Sequence, residues 1–403
     1  MKQTPLSTYV LSLKNLKNKK ERTLYLAAVV SILAFILFGS AILATSLTTG
    51  MESMNKRLGA DILVVPAGYG AKTMAVLLRG EPNYFYFDKS VADEVARIDG
   101  VAAASPQFFL SSLSEGCCDY QVQLIGFDSA TDFAVQPWIA ESSKGQIGDG
   151  DIVIGSAINA RANNTVQLLG HEFPVAARLS PSATGFDTSV FMNMNTMRFT
   201  IELMHKKGYR LLTDSESPDI ISSVLVRLEP KANVDLAAFN IQKALPGVEV
   251  VVADRIVGGI AETLTKLVSS ILFFALFFWL LAAVILQAVF SGIMNERKKE
   301  FAVLRILGAS RKKLISLVLS ESLFLSVAGG IAGTALAAIV VFPFSAYIGQ
   351  RLNLPYLFPH AATLLGVLFA SLALSFIIGP LAVFRSALKI SKAETWYTMR
   401  EGE

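Results

Sequence analysis

Four stretches of this 403-residue chain are too long and too poor in charge for water to be their solvent. Leu24–Leu47, Leu267–Met294 and Ala361–Phe384 contain no Asp, Glu, Lys or Arg, and Leu314–Ile348 contains only Glu321. Each exceeds the roughly 20 residues a helix needs to cross about 30 Å of hydrocarbon. A helix is also the only open-chain structure that satisfies its own backbone in lipid, so a membrane domain of four transmembrane helices is expected. Only 17% of residues are charged, against about a quarter in an ordinary soluble domain. That deficit is confined to the four windows, because residues 48–261 have the composition of a globular domain. The first stretch is longer than a signal-peptide core and reads as a retained anchor.

Orientation follows from the basic flanks. Lys14, Lys17, Lys19, Lys20 and Arg22 precede the first span. Arg297, Lys298, Lys299, Arg305, Arg311, Lys312 and Lys313 separate the second from the third, and Arg385, Lys389, Lys392 and Arg400 follow the fourth. The connection between spans three and four carries only Arg351. Positive flanks stay inside, which predicts a cytoplasmic lead-in (1–23), a first span (24–47), an extracytoplasmic domain (48–261) and a second span (262–294). A cytoplasmic connection (295–313), a third span (314–348), an outer loop (349–360), a fourth span (361–384) and a cytoplasmic tail (385–403) complete the layout. The net charge of +4 is small, and basic residues gathered beside apolar windows indicate membrane topology rather than nucleic-acid binding.

The outer domain reads as α+β. Gly59–Pro66 (GADILVVP) is a β-branched run that predicts a strand. Two helix–Gly–Val–strand units echo each other, one over Asp88–Leu110 and one over Asn233–Ile256, and predict a pseudo-repeated, membrane-near subdomain. Between them, Gln121–Asn193 alternates short apolar runs with Gly and Asp turns and predicts a separate, small, β-rich distal subdomain.

Catalytic machinery is not evident. His171, His205 and His360 fall in no metalloprotease or hydrolase spacing, and no GxxxxGK[ST] exists to cradle a nucleotide. No cofactor is therefore expected on this chain. Cys117 and Cys118 are adjacent, and two cysteines cannot staple a domain of this size. With Met192, Met194, Met197 and His205 they place soft donors in the outer domain, of the kind that suits Cu(I) or haem iron; methionine also fills cores for purely apolar reasons. Glu321 is a carboxylate within an apolar helix, which calls for a partner inside the bundle or a place at the interface. Gly329, Gly330 and Gly333 have the spacing that lets helix backbones approach closely.

The connection Asn295–Lys313 (NERKKEFAVLRILGASRKK) predicts a charged amphipathic helix with Phe301, Leu304 and Leu307 on one face, stopped at Gly308 and followed by a helix capped by Ser310. Periodicity leaves open a helix resting on anionic lipid and a docking surface for a soluble partner. The run Glu296–Ser322 resembles the signature of the FtsX-like permease family, the membrane subunits of MacB-type (type VII) ABC transporters. An acidic residue (Glu300), an apolar run (Phe301–Leu304), Arg305, a Leu307-Gly308-Ala309 step and a downstream Glu321 carry the match. The basic lead-in, the GADILVVP strand, the GHEFPVAARL…TGFD stretch and the four-helix layout extend it over most of the chain. The tail KISKAETW (Lys389–Trp396) departs from it, lacking a proline often found there.

The resemblance implies that Glu296, Glu300, Phe301, Leu304, Arg305 and Gly308 form a coupling helix seated on a separate ABC ATPase subunit, which would bind the ATP. It further implies a homodimer in the bacterial inner membrane, in contact with lipid, that transmits ATP-driven motion to its outer domain. The purpose would be export or extracytoplasmic handling of a substrate, with an extracytoplasmic or outer-membrane partner where one exists. Activation of an outer partner such as a cell-wall hydrolase is the alternative, and export of haem or a soft metal a lesser one.

Overall fold

The computed structural model of the chain describes residues 8–112, 122–142, 147–208, 220–351 and 354–392, in two compact units. The chain opens with helices α1 (Thr8–Asn18) and α2 (Lys20–Leu58). Strand β1 (Ile62–Pro66), helix α3 (Gly70–Met74), a π-helical turn (Ala75–Arg79), β2 (Phe87–Asp88), α4 (Ser90–Ala96), β3 (Val101–Ser111) and β4 (Gln123–Phe127) follow. Next come α5 (Gln136–Ser142), β5 (Ile152–Ile154), β6 (Thr165–Leu168), β7 (His171–Arg178) and β8 (Ser189–Asn193). Helix α6 (Met194–Lys206), β9 (Ile220–Ile221), β10 (Ser223–Leu228), α7 (Val234–Ala244) and β11 (Val248–Val252) complete the sheet-bearing part. The last helices are α8 (Ala253–Glu296), α9 (Lys298–Ile306), α10 (Arg311–Arg351) and α11 (Ala361–Lys392).

One unit, Met1–Thr48 with Thr265–Ile348 and Phe358–Glu403, is helical. Among the described residues four helices are long and apolar enough to cross a membrane, over Lys20–Met54, Ala261–Glu296, Arg311–Phe344 and Ala361–Leu388. The helices overrun the apolar windows because nothing ends them at the hydrocarbon boundary, and α2 continues past Leu47 to Leu58. Leu26, Val30 and Leu33 of α2 share a core with Leu286 and Phe290 of α8, Leu317 and Leu325 of α10, and Ile378 of α11. The window of α8 is only 11% buried against 44% for α10, so α8 presents most of its apolar surface to lipid or another chain.

Backbones come close where α10 meets its neighbours. A Cβ on Gly333 would lie 2.0 Å from the Ser31 carbonyl oxygen of α2, and one on Gly329 would lie 2.7 Å from that of Ala27. Gly330 faces Phe376 and Ser375 of α11, at 3.0 and 3.2 Å for the same test. Absent side chains, not large ones, set this packing distance.

The second unit, Thr49–Leu264 with Gly349–Leu357, is built on a nine-stranded mixed sheet in the order β11-β1-β10-β3-β4-β8-β5-β7-β6. Its first four strands are all antiparallel neighbours. With α4 and α7 they form a β-α-β-β-α-β unit: β1, α4, β3, then β10, α7, β11. The echo in the sequence thus corresponds to the two helix-strand halves. Ala92 and Val95 of α4 and Ala237 and Ile241 of α7 pack with Ile62, Val64, Val224 and Val226. Leu63, Val65, Leu225 and Phe109 point to the opposite face, into a core shared with Val76, Leu77, Phe85 and Trp138. Both faces are therefore covered, which explains why these strands read as continuous apolar runs rather than alternating ones.

The inserted segment is β-rich, but it makes no sheet of its own. Strand β4 pairs antiparallel with β3 from Gln107↔Phe127 to Ser111↔Gln123, and β8 pairs parallel with β4, so the insertion lengthens the same sheet. Strand β3 is flanked by β10, which starts at Ser223 opposite Gln107, and on its other edge by β4, which pairs from Gln107 on to Ser111. The Met-rich run forms α6, started by Asn193, whose side chain accepts from the Thr196 N–H at 2.8 Å.

Replacing Gly333 by alanine is expected to force α10 from α2 and destabilise the helical unit by about 1–3 kcal/mol. Gly366→Ala, where nothing lies within 4 Å of the added Cβ, should leave stability unchanged or slightly raised. Thermal unfolding of the two variants in the same detergent checks the difference.

Candidate functional site

Among the described residues, the helical unit buries an ion pair where α8 passes into α9. Arg297 and Glu321 are 3% and 4% exposed, and Arg297 Nη1 donates to Glu321 Oε2 at 2.7 Å. The other Glu321 oxygen accepts from Asn15 Nδ2 of α1 at 2.8 Å. Arg297 Nε donates to Glu300 Oε2 at 2.7 Å, and Lys19 Nζ reaches Glu300 Oε1 at 3.2 Å. The guanidinium also lies over the Phe301 ring, 5.1 Å from its centroid. Ser12 adds a buried bond to the Leu317 carbonyl at 3.2 Å. One guanidinium at the end of α8 thus ties the first turn of α9 to the third turn of α10, and the carboxylate it holds is shared with α1.

Electrostatics favour this charged arrangement. Burial works against charge on Arg297, but Glu321 and Glu300 outweigh it and raise its pKa above the ordinary arginine value. Burial likewise opposes charge on Glu300, yet hydrogen bonds from Arg297 and Lys19 hold its carboxyl below the usual carboxylate range.

Helix α9 ends in a Schellman arrangement: Gly308, at φ +92°, donates to the Arg305 carbonyl at 3.0 Å, and Ala309 donates to that of Leu304 at 2.9 Å. Ser310 Oγ then accepts from the Lys313 N–H at 3.4 Å at the start of α10. The expected single face of Phe301, Leu304 and Leu307 is not what forms. Phe301 is buried, Leu304 is partly buried against the same core, and Leu307 is 77% exposed beyond the helix end. A spacing of three falls short of a 3.6-residue turn by roughly 60° per step, so the third residue rotates off the face. The exposed apolar residues are instead Val303, Ile306 and Leu307, outside any candidate span.

Two family models match the chain. The MacB-like periplasmic core domain matches residues 27–244, more than half of the chain, and the FtsX-like permease C-terminal domain matches residues 272–392. The chain belongs to the FtsX-like permease family, the membrane subunits of type VII ABC transporters. Solved structures to which the permease is similar include two outer domains. The periplasmic region of MacB from Actinobacillus actinomycetemcomitans is 13% identical, with 52% of this chain and 98% of that one covered and a TM-score of 0.31. The extracellular domain of the noncanonic ABC-type transporter YknZ from Gram-positive bacteria is 13% identical, with 48% and 98% covered and a TM-score of 0.27. No curated protein sequence matches the permease significantly.

The remaining candidate residues are dispersed. Glu296 and Gly308 are exposed and Arg305 is half-buried. Met192 and Met197 are wholly enclosed in the core of the inserted strands, Met194 packs at its edge, and the Met192 sulfur accepts from Thr200 Oγ1 at 3.5 Å. His205 is exposed in the last turn of α6. The three methionines serve packing, among the described residues no common open site gathers them with His205, and Cys117 and Cys118 lie outside the described residues. Nothing in the local pattern marks Arg297 or Asn15 as partners of Glu321. The available signal was the rule that an intramembrane carboxylate needs a cation, but Arg297 is one of several basic residues flanking the apolar windows and sequence does not single it out.

Removing one half of the pair should reveal it. Arg297→Met leaves Glu321 buried beside Asn15 alone and is expected to destabilise the permease by about 3–5 kcal/mol. Arg297→Met with Glu321→Met should regain most of that loss, because the charge needing a partner is gone. A double-mutant cycle by denaturant unfolding in detergent checks both.

Proposed function

We propose that the end of the bundle bearing α1, α9 and the Arg297–Glu321 pair faces the cytoplasm and receives a separate ABC ATPase, with α9 as the element it moves. The reading is carried by one observation: a short helix outside the spans exposes Val303, Ile306 and Leu307 while its first turn is held through Arg297 to Glu321 of α10. Large apolar side chains grouped on a water-facing helix mark an interaction surface, and membership of an ABC permease family makes an ATPase the natural occupant. Glu300 and the basic residues Lys298, Lys299 and Arg305 supply a charged rim, the composition usual around an apolar contact.

Two permease copies with two ATPase copies would complete the assembly, the outward apolar surface of α8 serving lipid and the second copy. Closure of the ATPase on nucleotide would displace α9. Arg297 would pass that displacement to α10 and α1, since a buried guanidinium cannot leave its carboxylate cheaply. The outer domain would then export or handle a substrate on the far side of the membrane. The same stroke would serve activation of an outer partner.

The test is ATPase activity in a complex reconstituted with its cognate ATPase. Ile306→Asp and Leu307→Asp each place a charge in the contact and are expected to reduce permease-dependent stimulation about tenfold or more, a loss of roughly 1.4 kcal/mol or more of coupling. Leu236→Asp, at an exposed position on α7 of the sheet-bearing unit, should not weaken ATPase binding. Unchanged stimulation in both α9 variants would dismiss the docking assignment.

A further inference from the structure

The sheet-bearing unit contains a cavity that coupling does not use. Its volume is about 530 Å³, within the roughly 300–1,000 Å³ typical of small-molecule sites. Its apolar wall is formed by Met54, Met74, Leu78, Val251, Leu264 and Leu354, and two charged groups, Glu249 and Arg79, join the lining.

Several features indicate a built space rather than a packing defect. Ala75, Leu78 and Arg79 come from the π-helical turn, a rare conformation found often at functional sites. Glu249 is anchored: its Oε2 accepts from the Gly68 and Gly70 N–H groups at 3.0 and 2.9 Å. A Cβ on Gly70 would lie 2.2 Å from the other oxygen, Oε1, so only glycine leaves the carboxylate its place. Pro355 is seated by an equally close approach, its carbonyl oxygen 1.9 Å from where a Cβ on Gly50 would be. Arg79 is held by an exposed pair with Glu81 at 3.0 Å, a contact weak enough to be shared.

The chain's connectivity says where a guest comes from. Met54 ends the first candidate span and Leu264 lies in the first turn of the second. Leu354 belongs to the connection between the third and fourth. Three of the six apolar wall residues are therefore delivered by segments that enter the bilayer. Methionine at positions 54 and 74 gives a wall that adapts to a flexible chain.

We infer that this cavity takes one acyl chain of a phospholipid from the surrounding bilayer, with the head group at Glu249 and Arg79. The guest needs no ATP and no partner protein, so the inference stands apart from the coupling reading, and the permease alone suffices to test it.

The probe is a phosphatidylethanolamine carrying a diazirine at the end of one acyl chain, incorporated into nanodiscs with the full-length permease. After illumination, labelled peptides are mapped by mass spectrometry. Labelling is expected on the Met74–Leu78 and Val251 peptides in addition to the membrane helices. Leu78→Trp or Leu354→Trp, which fill the space, should lower labelling of those peptides about tenfold while the membrane helices label as before. Label confined to the membrane helices in the unmodified protein would overturn the inference, whatever the variants do. So would cavity-peptide labelling that neither tryptophan diminishes.

Discussion

Desolvating a guanidinium and a carboxylate together is unfavourable unless each finds the other at hydrogen-bond distance and its remaining valences are met. At the junction of α8 and α9 those conditions are satisfied: Arg297 divides its donors between Glu321 and Glu300, and Asn15 takes the remaining oxygen of Glu321. The geometry has little slack. If α9 tilts, Arg297 either carries Glu321 and α10 with it or leaves a buried charge exposed to hydrocarbon. Glycines elsewhere on α10 allow close contact with α2 and α11, so a displacement imposed at one end of that helix meets neighbours already at the limit of approach. Specific polar contacts at one end and side-chain-free packing farther along together leave α10 little freedom to shift independently of its neighbours.

The sheet-bearing unit solves a different problem. Strands covered on both faces need helices above and below, and α4 and α7 provide one layer while the π-turn, α5 and their loops provide the other. The insertion between β3 and β10 extends the sheet without disturbing the four-strand base, because β3 is longer than the strand it accompanies. Fully enclosed Phe109, Phe127 and Phe191 share one core drawn from both parts, while Phe173 lies in the second core of the inserted strands.

Legibility from the sequence followed the range of the interactions concerned. Hydrocarbon imposes one uniform condition over twenty residues or more, so the charge-free windows could be read directly. The helix–Gly–Val–strand echo was readable because each unit is contiguous. Gly308 and Ser310 were readable because caps are made within one turn. The union of the inserted strands with the base sheet was hidden, since the β3–β4 register depends on how far each strand extends, not on local pattern. Met192 and Met197 looked like donors because composition does not reveal enclosure. The Arg297–Glu321 contact links residues on two helices, and only the bundle brings them together.

Strands β1 and β11 are hydrogen-bonded neighbours over five residue pairs, from Ile62↔Val252 to Pro66↔Val248. Strand β1 follows α2 after a three-residue link, and β11 runs into α8 with no link at all. The first two membrane helices are thereby joined by a zipper of backbone bonds where they leave the lipid. The end of α2 and the start of α8 are therefore held at a spacing fixed by paired backbone rather than by the reach of a loop.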